Sequence, residues 1–451
     1  FLVLAITTFS SCSFDNKTGI WQDATDIPVN NQVTKTISDS EPEQRYEDIF
    51  IKDETFNEEK EATALSMVKI EEPKKITNWL QEYATPSNNV SNYSYSANKI
   101  LLYKSSKLNN FLSVNKDLNK KIIFYKNNFI SHDNKGKIFI FSLSLRKKIF
   151  EFDFYKKNFK KFNKEINLIV NNGILYAADN LGYIYSINLN SQSLVWAKNY
   201  GIPFRSNMKL VAGQILIANQ DNVIYSIDLK SGNKNWEFAT SPTFLKSDFM
   251  NNFVIAEKNS FLFLNVSGEL YSVNYINQSI NWILNFKSIS LEADSNLFFS
   301  KPLVAKNGNL IVSTEKSIIS YNVSNSDKNW AFSSDTILKP ALTNNYVYIL
   351  SSSGLLICLE NKTGNVLWSK NIYKNLKQKE IKKIGSFNDL KIAGNKLNLF
   401  SKNGYLLSFN FKNGNRDYIK KISKKGISSN IFFLQKSMFL IDNNNKLLKF
   451  N

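Results

Sequence analysis

The residues that could do chemistry are few. In 451 residues there is one histidine, His132, and two cysteines, Cys12 and Cys358. One His and two Cys exclude a Cys/His zinc site, a disulfide framework and any mechanism that needs a pair of histidines. His132 falls near the end of a predicted strand and reads as a surface or capped residue. Cys358 lies in a strand position that other segments fill with Ser186, Ser226 and Ser272, so it reads as a small buried thiol. The acidic residues of the larger, C-terminal part form no motif-like cluster. Glu292, Ala293 and Asp294 sit in a long segment after Trp282. These residue types support attachment at Cys12 and recognition by loops better than catalysis.

Cys12 gains its meaning from what precedes it. Phe1 to Phe9 is apolar and uncharged, too short for the roughly 20 residues that span a bilayer, and is followed by Ser10, Ser11 and Cys12. The stretch reads as the C-terminal part of a signal peptide, residues 1–12. It resembles a bacterial lipobox, which implies lipidation of Cys12 as the first residue of the mature chain. The other reading is an ordinary signal peptide with an incidental Cys. The resemblance also implies an outer-membrane address, because Ser13 rather than Asp follows the Cys.

Charge divides the remainder. Residues 13–75 hold 15 acidic and 8 basic side chains, net −7, and residues 76–451 hold 23 and 49, net +26, which restores the total of +19. The acidic part is polar and aperiodic, with Pro28, Pro42 and Pro73. It is expected to be a flexible tether, with one short helix within 58–70. The basic part owes its charge to Lys, since the chain has only Arg45, Arg146, Arg205 and Arg416. Scarce Arg argues against nucleic acid as a partner. A Lys-rich surface serves solubility or attraction to anionic head groups.

The body repeats, and the repeat supplies the scaffold. Phe150, Trp196, Trp236, Trp282, Trp330, Trp368 and Tyr418 recur at intervals of 46, 40, 46, 48, 38 and 50. An apolar strand lies about ten residues before each. Before that strand comes a turn residue, in order Gly136, Gly182, Asn222, Gly268, Lys316, Gly354 and Gly404. Gly and Asn there suit a hairpin needing φ > 0. Gly232, Gly364 and Gly414 mark a second hairpin four residues before an aromatic. Four short strands in 40–50 residues make one propeller blade. Seven aromatics and the strands after Tyr418 predict an all-β, eight-bladed β-propeller of four-stranded antiparallel blades over 76–451. The last blade lacks one strand. Ile76 to Leu80, with Trp79 paired to Asn78 as Trp236 is to Asn235, is expected to supply it, making 76–83 the closing strand. Residues 85–118 then hold surplus loop or strand. The eight aromatics, Trp79 included, are expected to pack between neighbouring blades.

The pattern Gly-x-x-Tyr-Ser-Ile-Asp-Leu-x-x-Gly-x-x-x-Trp resembles the pyrroloquinoline-quinone-type repeat, shared by quinoprotein dehydrogenases and the outer-membrane barrel assembly factor B family. Eight repeats, an N-terminal closing strand and a lipobox make the chain similar to the latter. That resemblance implies a non-enzymatic lipoprotein on the outer membrane, facing the periplasm and using no cofactor. It would be a monomer within a hetero-oligomeric complex, bound to the POTRA domains of the barrel-insertion subunit, BamA. It implies partner-binding loops at Phe244, Leu245 and Lys246 after Trp236, and at Glu292 and Asp294 after Trp282. Where the family carries an Arg this chain has Lys246 or Ser247, neither able to fork onto a carboxylate. The repeat alone also fits an envelope-binding propeller unrelated to barrel assembly. A quinoprotein dehydrogenase would need a calcium site, and many members carry an adjacent Cys pair, which is absent here.

Overall fold

The computed structural model describes residues 13–15, 20–22, 45–46, 54–62, 69–108, 122–155, 159, 161–242, 252–255, 259–286 and 298–451. Eight four-stranded antiparallel blades form the ring. The innermost and outermost strands are Ile123–Tyr125 and Lys147–Asp153 in blade 1, Ile166–Asn171 and Ser193–Asn199 in blade 2, and Lys209–Val211 and Lys234–Ala239 in blade 3. They are Asn252–Ile255 and Ile280–Asn285 in blade 4, Val304–Lys306 and Lys328–Ser333 in blade 5, and Ala341–Leu342 and Val366–Asn371 in blade 6. Blade 7 runs from Phe387–Ala393 to Arg416–Lys421. Blade 8 takes Phe432–Leu434, Ser437–Ile441 and Leu447–Phe450 from the C-terminal part and Leu101–Lys104 from the N-terminal part.

One register repeats. In blades 2 to 5 the outer Trp stands opposite a Ser of the third strand, in the pairs Ser186–Trp196, Ser226–Trp236, Ser272–Trp282 and Ser320–Trp330. The other blades substitute Ile140–Phe150, Cys358–Trp368 and Ser408–Tyr418. A small residue there leaves room for an indole. The indole then reaches the next blade. Nε1 of Trp196, Trp282, Trp330 and Trp368 donates to the carbonyls of Leu229, Val323, Asn361 and Phe411, at 3.0, 2.9, 2.8 and 3.2 Å. Gly232 and Gly364 are required at the receiving hairpins. Their φ values are +70° and +74°, and a Cβ would stand 2.4 Å from the Trp196 ring and 2.6 Å from the Trp330 ring. Six of the seven predicted first-turn positions have positive φ. Lys316 does not, because the Thr314 hydroxyl and Ser317 close that turn instead. Apolar clusters fill the spaces between successive blades.

Three expectations need correction. The closing strand is Leu101–Lys104, not Ile76 to Leu80 or 76–83: Leu101 pairs with Phe450 and Lys104 with Leu448. Trp79 accordingly is not an outer-strand aromatic. It bridges Phe124 of blade 1's innermost strand, lies 5.0 Å from the Phe432 ring, stacks on Tyr93 at 5.8 Å and is 2% exposed. The largest side chain of that segment buries more area on the axis than a half-open rim position allows. The third correction concerns 58–70. Its described residues, 58–62 and 69–70, are not helical, and Lys60 forms an antiparallel bridge with Ser369.

Candidate functional site

Antiparallel order gives the ring two distinct ends. Turns joining the first to the second strand and the third to the fourth lie at one end. Turns joining the second to the third strand, and the connectors between blades, lie at the other.

The first end is capped by residues 76–96, which touch the innermost strand or first turn of every blade. The Ile76 carbonyl accepts from Gln435 N of blade 8, Trp79 and Phe124 of blade 1 exchange two backbone bonds, and Leu80 O accepts from Val170 N of blade 2. Blade 3 contributes Lys209, whose ammonium donates to Asn88 Oδ1 at 2.6 Å. Asn88 Nδ2 donates to the carbonyls of Phe253 and Leu303 in blades 4 and 5, at 3.1 and 3.0 Å. Asn89 Nδ2 donates to Leu342 O of blade 6 at 2.9 Å. Tyr93 N donates to Ile392 O of blade 7, and Ser96 N returns to Lys436 O of blade 8. The cap has no repeated register, so its polar groups need side-chain partners. Asn amides supply both donor and acceptor. Burial pushes the Lys209 amine down to about 7.

Between the cap and blades 4 and 5 lies a cavity of about 440 Å³, lined by Glu71, Lys74, Asn92, Ile255 and Lys306 among others. Glu71 Oε1 accepts from Lys306 Nζ and from Asn344 N, each at 2.6 Å. Lys306 Nζ also donates to the Ser91 hydroxyl, so the amine is shared between the Glu71 carboxylate and a serine of the cap. Among the described residues no group of three or more His, Cys, Asp or Glu could hold a metal ion.

The second end carries the roots of the loops named from the sequence. Phe244, Leu245, Lys246, Glu292 and Asp294 lie outside the described residues, as does Cys12. The roots of both loops are described. Thr240 and Ser241 end the first, and the Ser241 hydroxyl donates to Glu269 Oε1 at 2.7 Å. Glu269 Oε2 accepts from Asn265 Nδ2 and Tyr271 OH at 2.8 and 2.9 Å. Phe286 and Phe298 flank the second loop, their rings stacked at 5.7 Å, and Phe298 N donates to Val266 O at 2.8 Å. Both roots therefore converge on one hairpin of blade 4, residues 265–269. Fixed roots on a rigid ring are how a propeller presents a recognition surface.

Of the other residues named from the sequence, Trp236, Trp282, Trp330 and Trp368 are buried, and Phe150, Trp196 and Tyr418 are half-buried. His132 ends a strand of blade 1 with Nδ1 2.9 Å from the Asp133 carbonyl oxygen, and Cys358 is fully buried with its thiol pushed up by desolvation. The sequence reading missed the cap and Lys209. The available signal was the aperiodic, amide-rich run 85–99, too polar for a blade strand and rich in groups able to bond backbone.

A family model described as outer membrane protein assembly factor BamB matches residues 151–370 and 295–451. The outer membrane protein assembly factor BamB of Moranella endobia (strain PCIT) is 22% identical over 278 residues, covering 56% of this chain and 66% of the relative, a little under two thirds of its length. Among solved structures, BamB from Moraxella catarrhalis superposes with a TM-score of 0.61 at 10% identity, over 78% of this chain and 99% of that one. The quinohemoprotein alcohol dehydrogenase from Comamonas testosteroni gives 0.62 at 8% identity, over 86% and 83%. At such identities the solved structures speak for the eight-bladed fold alone. The two family-model matches together run from 151 to 451, well over half of the chain, and the protein belongs to the outer membrane protein assembly factor BamB family.

Proposed function

We propose that the protein is a non-enzymatic scaffold subunit of the machinery that inserts β-barrels into the outer membrane. In this reading it docks the POTRA domains of BamA through the loops at 244–246 and 292–294, stays monomeric within the hetero-oligomer, and is held to the outer membrane's periplasmic leaflet by lipid on Cys12. The observation that carries the reading is the family match over the repeat body. Two features support it. The roots of both loops meet at one blade 4 hairpin, so a single partner surface can engage both. The axis is filled at one end by Trp79, Tyr93 and the Asn88–Lys209 pair.

The test is a pull-down of the intact protein against purified POTRA domains from the same source, with the Leu245→Asp and Lys246→Glu variants alongside. The expected outcome is binding that both variants weaken. Binding that survives both substitutions would keep the partner and remove the loop assignment. No binding by protein shown to be folded would remove the partner.

A further inference from the structure

The outermost strand of every blade carries one extra, bulged residue beside the repeated register. These residues are Ile149, Val195, Asn235, Asn281, Asn329, Leu367 and Asp417 in blades 1 to 7, and Leu102 in blade 8. The shared position lets blades be compared as internal controls. In four blades the residue is polar and exposed, as Asn235, Asn281, Asn329 and Asp417, although the outer strands of blades 4 and 5 also carry added chain further along, Arg45–Tyr46 beside Leu284–Asn285 and Phe56 N donating to Ser333 O. Asn281 and Asn329 donate to the hydroxyls of Ser272 and Ser320, each at 3.1 Å.

Leu367 of blade 6 is apolar, and it is covered. Leu367 and Ala62 pack against the same apolar cluster. The segment beside it adds to the strand: Lys60 N donates to Ser369 O and Ser369 N to Lys60 O, both at 3.0 Å. Acidic residues flank that pairing, with Glu61 on Lys370 and Glu59 2.9 Å from Lys374.

Leu102, Ile149 and Val195 are apolar too, and they fall on the consecutive blades 8, 1 and 2. They are 51%, 37% and 51% exposed. Leu101, Leu145 and Leu194 beside them are also exposed. No strand covers these three edges among the described residues. We propose that the rim of blades 8, 1 and 2 is a docking surface for an extended, acid-rich polypeptide segment with interspersed apolar residues, added to the outermost strands as residues 58–62 add to blade 6.

Two observations select this occupant. The bare edges present strand N–H and C=O groups, which a peptide strand satisfies and lipid hydrocarbon does not. The flanks are net basic: Arg146, Lys147 and Lys198 lie on or beside these strands, with Lys148 paired to Glu151 at 2.5 Å and Lys104 3.9 Å from Asp442, as Lys370 and Lys374 lie beside the acidic segment on blade 6. The rim lies on blades 8, 1 and 2, whereas the roots of the loops after Trp236 and Trp282 meet on blade 4.

The probe is a labelled peptide of the chain's own residues 54–62, ETFNEEKEA, titrated into the intact protein, whose own copy already lies on the outer strands of blades 5 and 6. Saturable binding is expected, weakened about tenfold or more by Leu102→Asp or Val195→Asp and unchanged by Asn329→Asp. A structural role is separated by melting. Leu102→Asn and Val195→Asn should melt within about 2 °C of the parent, because their side chains are exposed, whereas Leu367→Asn should melt lower. A peptide that does not bind, or binding that both rim variants retain, overturns the proposal. So does loss, in those variants, only of binding to phosphatidylcholine vesicles doped with phosphatidylglycerol, which would assign the rim to a bilayer.

Discussion

Each blade is held by one register used over and over, whereas residues 76–96 cap the ring with no contact used twice. In the blades a Trp fits opposite a small residue and bonds the next hairpin's carbonyl, so apolar area and shape dominate. In the cap, Asn88 and Asn89 meet backbone carbonyls of blades 4, 5 and 6 and Asn88 also accepts from the buried Lys209 of blade 3, so unmade hydrogen bonds dominate. A repeated element can lose one of its seven register pairs and keep six like it. A unique element that touches every blade loses its fit to all of them together.

The largest expected effect tests whether the cap belongs to the same cooperative unit as the blades. Trp368→Ala removes a fully buried blade indole and should cost about 3–5 kcal/mol in denaturant unfolding. Trp79→Ala, in the cap, should cost about the same, because it is 2% exposed and stacked on Tyr93. A Trp79 loss below about 1 kcal/mol, with the blade variant behaving as stated, would make the cap a passenger.

A smaller effect separates polar satisfaction from apolar packing. Asn88→Ala leaves two buried carbonyls and the Lys209 ammonium without their partner, and should cost about 2–3 kcal/mol. Asn235→Ala, at an exposed rim position, should stay within about 0.5 kcal/mol of the parent. Equal losses at the two sites would erase the distinction.

The smallest effect, up to about 1.4 kcal/mol per pH unit, is a slope. Lys209 releases its proton near 7 when folded and near 10.4 when unfolded, so the unfolded chain binds more protons between those values. Its contribution to stability therefore rises from pH 7 towards 10. Asp179, the last residue of blade 2's second strand, behaves in the opposite sense. Burial raises its carboxyl to about 7, although its Oδ1 accepts from Leu181 N and Tyr183 N at 2.8 and 2.9 Å. The folded chain keeps a proton that the unfolded chain has lost above about 3.9, so this contribution falls from pH 4 to 7. Subtracting the Lys209→Met curve from the parent should leave a rise confined to the alkaline side. Subtracting Asp179→Asn should leave a fall confined to the acid side. A flat difference for Lys209 would mean that its ammonium is fully solvated or paired.

The blades were legible in the sequence because their physics repeats. Seven copies of one aromatic spacing outweigh irregularities such as Lys316, which stands where the other blades have Gly or Asn and where Thr314 closes the turn. The number of blades and the need for an N-terminal closing strand followed from counting strands. The identity of that strand did not. Ile76 to Leu80 and Leu101 to Lys104 are both short and apolar, and only the three-dimensional competition for the axis decides which is buried. The cap was illegible because each of its bonds is singular. The rim pattern of Asn against Leu, Ile and Val was present in the sequence, but it acquires meaning only when the bulge fixes which residues are equivalent.

Blade 8 also imposes an order of events. Seven blades assemble from neighbouring hairpins, but the eighth joins Ser105 to Leu447, 342 positions apart. Until those residues meet, the ring is an open arc, and the axial cap, whose first and last bonds are to blade 8, has nowhere to finish. Such a closure is slow for entropic reasons and comes last. During vectorial synthesis the Phe-rich wall of blade 8 is made after everything it must bury against, and the half-built ring waits for it. The time an unfinished molecule spends vulnerable to aggregation is then governed by that last closure, which stronger packing within blades 1 to 7 does not shorten.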